Sequence, residues 1–81
     1  MRNEFFPIAD IYVPAKRRLT LNPATVQALA RDILEVGQLN PIMVRRDGER
    51  FVLIEGLHRL EACKALGEDT IVGYLVEARK H

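Results

Sequence analysis

The 81-residue chain is predicted to be a single small α+β domain, with a mixed four-stranded sheet and two helices. Three observations predict it. Phe51 to Ile54 is a short apolar, β-rich run that meets Gly56 and then a helical spacing of apolar groups. Asn22-Pro23 opens a second helical pattern with a strong start signal. Asp47-Gly48 stands between two apolar runs, the strongest short-range hairpin signal.

Taken in order, Phe5 to Val13 mixes apolar and turn residues. Ile11 to Val13 suits a short strand at an edge, because Pro7 and Pro14 flank it. Lys16-Arg17-Arg18 reads as a basic loop. Asn22 then suits the N-cap of a helix and Pro23 its first position, with Leu21 and Val26 placed as a hydrophobic staple. Val26, Leu29, Ala30, Ile33 and Leu34 follow helical spacing to Gly37, so the helix is expected over Pro23 to Val36. Gln38 to Pro41 connects to a strand over Ile42 to Arg45. Arg46 to Glu49 turns, and Phe51 to Glu55 returns antiparallel. Arg45, Arg46 and Arg50 flank this hairpin, with Asp47 and Glu49 interleaved, so a solvated hairpin is expected. Leu57 to Leu66 is helical, with Leu60, Cys63 and Leu66 on one face and Gly67 as C-cap. Thr70 to Val76 is the last strand, in a crossover expected to be parallel and right-handed. Arg79, Lys80 and His81 read as a frayed basic tail.

The totals bound the function. Apolar residues make up 48% of the chain, enough for one small core. The formal net charge of +1 gives no global argument for nucleic acid or a membrane surface. Nucleic-acid binding is therefore expected to be weak and non-specific, through Lys16, Arg17 and Arg18. One cysteine excludes an internal disulfide framework and fits a reducing, cytoplasmic setting. No apolar run approaches a membrane span, and no signal-peptide core is visible.

The chemistry concentrates at Gly56. A helix beginning there presents unpaired N–H groups and the positive end of its dipole, a site for anions and phosphate above all. His58 and Arg59 fall in the first turn, where the dipole disfavours cations and a bound anion would relieve the cost. Arg59 suits bidentate phosphate contact, or else pairs with Glu55 or Glu61. Arg17 and Arg18 are expected to reach the same anion, unless their loop is simply solvated. Glu55 is either a general base or metal-side carboxylate, or a partner for Arg59. Cys63 faces inward and is expected to be packed rather than reactive.

Three segments resemble a known family. Leu21-Asn22-Pro23-Ala24-Thr25-Val26-Gln27-Ala28-Leu29 is similar to the helix opening of sulfiredoxins. Gly37-Gln38-Leu39-Asn40-Pro41-Ile42-Met43-Val44 resembles a Gly-Leu-x-x-Pro-Ile-x-Val segment of bacterial partition proteins. Glu55-Gly56-Leu57-His58-Arg59-Leu60-Glu61-Ala62 resembles the signature turn of the ParB/sulfiredoxin fold family, written Gly-Glu-Arg-Arg or Gly-Cys-His-Arg. The resemblance implies a nucleotide whose phosphates lie on this turn, at Gly56, Leu57, His58 and Arg59. Partition proteins bind CTP there, sulfiredoxins ATP and a related serine kinase ADP, so CTP or ATP, with or without Mg²⁺, is the implied ligand. Leu57 replaces the sulfiredoxin cysteine, so sulfinic acid reductase activity is not expected. Thr25 and Ala28 replace a lysine and a serine of sulfiredoxins, which leaves the nucleotide open. The resemblance implies a regulatory module in plasmid or chromosome partition, or in DNA-linked regulation. DNA would be read by a separate helix-turn-helix domain, and a homodimer is a compatible assembly. The alternatives are a small phosphotransferase or NTP hydrolase with Glu55 as base, and a non-catalytic interaction domain.

Overall fold

A computed structural model describes residues 2–38 and 40–77. Its strands are β1 (Glu4–Pro7), β2 (Ile11–Tyr12), β3 (Ile42–Asp47), β4 (Arg50–Glu55) and β5 (Thr70–Leu75), and its helices α1 (Ala15–Arg18), α2 (Pro23–Val36) and α3 (Leu57–Ala65). The class is α+β as predicted, with one more strand and one more helix. Leu39 of the connector and the basic tail Arg79-Lys80-His81 lie outside the described residues.

The five strands run in the order β1-β5-β3-β4-β2. The extra strand comes from the first segment, which divides around a 3₁₀ turn at Ile8–Asp10. β1 pairs antiparallel with β5 and β2 pairs parallel with β4, so one segment supplies both edges of the sheet. Four strand spacings on a flat sheet cover about 19 Å. The step from Pro7 to Ile11 spans at most about 14 Å. The sheet must therefore curl to bring its edges together. The rings of Phe6 on β1 and Phe51 on β4 meet accordingly, edge to face at 4.9 Å between centroids.

The concave side holds the core. Phe6, Ile8, Ile11, Val13, Ile42, Val44, Leu53 and Ile71 pack there against Leu57, Leu60 and Cys63 of α3. α2 packs chiefly on α3 rather than on the sheet. The β3–β4 hairpin forms as read, closed by Gly48 (φ 63°) and Glu49.

Two expectations need correction. The crossover through α3 is not parallel: β5 lies parallel to β3, and β3 is antiparallel to β4, so β4 and β5 run in opposite directions. The free edge of β3 is what receives β5, and local patterning carries no information about which edge a strand will find. The Gln38 amide extends that edge. It accepts from the Val72 N–H (3.0 Å) and donates to the Val72 carbonyl (2.8 Å), as a strand backbone would. The basic loop is also corrected. Lys16, Arg17 and Arg18 lie in α1, a single turn closed by the Arg17 and Arg18 N–H groups on the Pro14 carbonyl.

Candidate anion site at the start of the third helix

α3 begins at Gly56, whose φ of 110° lies in the region that favours glycine. A Cβ at Gly56 would stand 2.5 Å from Cγ2 of Ile42. Packing against β3 therefore requires glycine here, whatever binds. The consequence for chemistry lies in the capping. Gly56 has no side chain to offer, and no side chain caps α3. The first intrahelical bond runs from the Leu60 N–H to the Gly56 carbonyl at 2.9 Å. The N–H groups of Leu57, His58 and Arg59 precede it and are the orphan donors of this helix.

These residues line one wall of a hollow of about 340 Å³. Gly56, Leu57, His58 and Arg59 form that wall, Thr25 and Leu29 of α2 face it, and Arg17 and Thr20 complete it. The structure thus brings Arg17 beside the Gly56–Arg59 turn. Arg18 is directed elsewhere, into a shallow depression with Tyr12 and Arg50, where the Arg50 guanidinium lies 4.2 Å from the Tyr12 ring centroid. Glu55 is exposed at the end of β4 and does not line the hollow. Thr20 and Leu29 carry no site signal in the sequence, because only the packed fold makes them walls: Thr20 sits in the turn after α1, and Leu29 lies on α2, which packs on α3.

Arg59 is half-buried and makes no ion pair among the described residues. Glu61, a sequence-level partner for it, pairs instead with Lys64 at 3.2 Å. Arg59 and Leu29 also line a second, smaller hollow of about 110 Å³ with Ile33, Val36, Asp32 and Asn40, so the two hollows adjoin. His58 is engaged differently. The backbone N–H of Asn22 donates to its Nε2 at 3.0 Å.

Cys63 is buried, 3% exposed. Burial first, and Glu68 second, push its thiol above the ordinary value. It is a packing residue, as its helical position predicted. Among the described residues no group of histidine, cysteine or carboxylate side chains could hold a metal ion, and no helix is long and apolar enough to cross a membrane. Two of the three hairpin arginines have partners: Arg50 pairs with Asp47 at 3.2 Å as well as lying over Tyr12, and Arg46 lies over Phe51.

A curled mixed sheet carries an uncapped helix start, and beside it Arg17 and Arg59 make no ion pair among the described residues; together these define a small α+β domain with a candidate anion site. The ParB N-terminal domain model matches residues 4–81, and the chain belongs to that family. It is similar to the probable chromosome-partitioning protein ParB of Campylobacter jejuni, 34% identical over 64 residues that span 79% of this chain and 23% of that protein. Among solved structures it is similar to sulfiredoxin from Arabidopsis thaliana, with a TM-score of 0.86 at 26% identity over 96% of this chain and 88% of that one. The C-terminally truncated ParB of Caulobacter crescentus complexed with CTP-γ-S gives 0.83 at 24% identity, over 99% of this chain and 47% of that one. The chain thus spans about a quarter of the Campylobacter protein and about half of the truncated Caulobacter chain.

Proposed function

We propose that this chain is a nucleotide-binding regulatory module of the partition type, holding nucleotide phosphates on the first turn of α3. The observation that carries the reading is the uncapped start of α3 next to Arg59, a half-buried guanidinium with no ion-pair partner among the described residues. Unpaired N–H groups, the helix dipole and a planar guanidinium together suit a phosphate group. Arg17 of α1, which also lines the hollow, adds a second guanidinium. The adjoining hollow, with Leu29, Ile33 and Val36 on its apolar side and Asp32 and Asn40 at its edge, offers a place for the base. The CTP analogue in the Caulobacter structure supports CTP as the first ligand to try. The Caulobacter ParB structure complexed to the centromeric parS site supports DNA as a further partner to test.

The reading is tested by calorimetric titration with CTP, ATP and ADP, each with and without Mg²⁺. At least one should bind. Charge-assisted hydrogen bonds contribute roughly 1.5–3 kcal/mol each. Arg59→Ala should therefore weaken binding roughly ten- to a hundred-fold, with unchanged circular dichroism. Equal affinity in both proteins would remove the phosphate site.

A further inference from the structure

We infer that His58 serves the anion site as a neutral positioning residue and not as a cation, and that it couples the site to the start of α2. The inference rests on the phosphate reading above and deepens it. His58 stands in the first turn of α3, where the dipole disfavours a positive charge. Its Nε2 accepts the backbone N–H of Asn22 at 3.0 Å, a contact between residues 36 apart in sequence. A ring nitrogen that accepts carries no proton, so the proton of this imidazole resides on Nδ1. Nδ1 has no hydrogen-bond partner among the described residues, and His58 lines the hollow.

Asn22 is no ordinary loop residue. Its side chain accepts from the N–H groups of Ala24 (3.0 Å) and Thr25 (3.3 Å) and so starts α2. One residue therefore caps α2 with its side chain and grips α3 with its backbone. The two walls of the hollow are Thr25 with Leu29 on α2 and the first turn of α3. Among the described residues, the Asn22–His58 bond is the side-chain hydrogen bond that joins them. The bond acts in both directions. The fixed Asn22 N–H selects the His58 tautomer, leaving an Nδ1–H donor for an anion oxygen. The imidazole in turn holds the α2 wall at its distance from the α3 donors. A protonated or cationic replacement would set a donor against the Asn22 N–H and lose the wall while gaining a charge.

Charge and position make opposite predictions, and pyrophosphate is the probe that separates them. On the positioning reading, His58→Gln supplies a neutral acceptor and an amide donor, and it should stay within about threefold of wild type. His58→Arg and His58→Ala should each weaken binding about tenfold or more, since both lose the acceptor. A phosphate-binding cation at this position would give the reverse order, with His58→Arg equal to or tighter than wild type and His58→Gln weak. That order would overturn the inference, as would equal affinity in all four proteins. ¹⁵N spectra of the imidazole provide the readout that a purely structural role would not move. Nε2 should show the shift of an unprotonated acceptor at neutral pH, and added pyrophosphate should move Nδ1 while Nε2 stays. An Nε2-protonated ring in the free protein would overturn the inference on its own. If wild type does not bind pyrophosphate, the phosphate reading falls and this inference with it. If wild type binds and the order of variants is reversed, only the inference falls.

Discussion

At the start of α2, the Asn22 side chain accepts from two backbone N–H groups and Pro23 occupies the first helical position, where a missing N–H costs nothing. At the start of α3, Gly56 offers no cap and the N–H groups remain open. The interiors of the two helices are contrasted the other way. α2 is 14 residues long and buries none of them fully. α3 has nine residues and buries Leu57, Leu60, Ala62 and Cys63. Thus α2 is specified locally and held loosely, while α3 is specified by the core and left unsatisfied at one end. A helix can leave its donors open for a ligand when packing, rather than capping, stabilises it.

The contrast can be broken experimentally. The largest effect should come from the centre of α3. Leu60 is 0% exposed, and Leu60→Ala should cost about 2–5 kcal/mol in urea unfolding. On α2 the equally apolar Leu34 is 75% exposed, and Leu34→Ala should stay within about 0.5 kcal/mol. Similar losses at the two sites would show that α2 is as much a part of the core as α3.

Next in size is Gly56→Ala. The new Cβ would meet Ile42 at a left-handed φ, and a loss of about 1–3 kcal/mol is expected. A stable variant with undiminished ligand affinity would mean that the backbone at Gly56 relaxes easily. Asn22→Ala should follow, at about 1 kcal/mol, because it removes the side-chain cap of α2 and leaves the backbone N–H to His58 in place. No change in unfolding midpoint would show that α2 does not depend on its cap.

The smallest effect is the pH dependence of Cys63. Its folded value is raised above the ordinary 9.0, so the folded protein holds the thiol proton more tightly than the unfolded chain. The stability associated with this group is complete below 9.0 and falls as pH rises from there through the folded value. Cys63→Ala, itself costing about 1 kcal/mol, should flatten that alkaline decline. Thiol labelling of the native protein at neutral pH should be slow. Fast labelling would mean that α3 opens readily, against the comparison with α2.

Much of this was legible in the residues. Asn22-Pro23 and Gly37 bracket α2 at the positions expected, because capping is a local exchange of backbone partners. Gly67 ends α3 for a similar local reason, with the Glu68 N–H on the Cys63 carbonyl and the Gly67 N–H on the Lys64 carbonyl. Asp47-Gly48 turns the hairpin, and the inward spacing of Leu60 and Cys63 marks the core face. The Gly56 turn was also visible as an uncapped helix start, since an absent side chain is a sequence fact.

What tertiary structure decided is where these pieces meet. The division of the first segment between opposite edges depends on the curl of the whole sheet, which no short window encodes. The direction of β5 depends on which edge of β3 was free. Arg17 and Arg18 are neighbours in sequence, yet they line different hollows because α1 is a helical turn. His58 looked like a second cation beside Arg59. A backbone N–H contributed from 36 residues away instead makes it an acceptor. Local rules set which backbone groups are paired within an element. Only the packed fold determines which distant group reaches the ones left over.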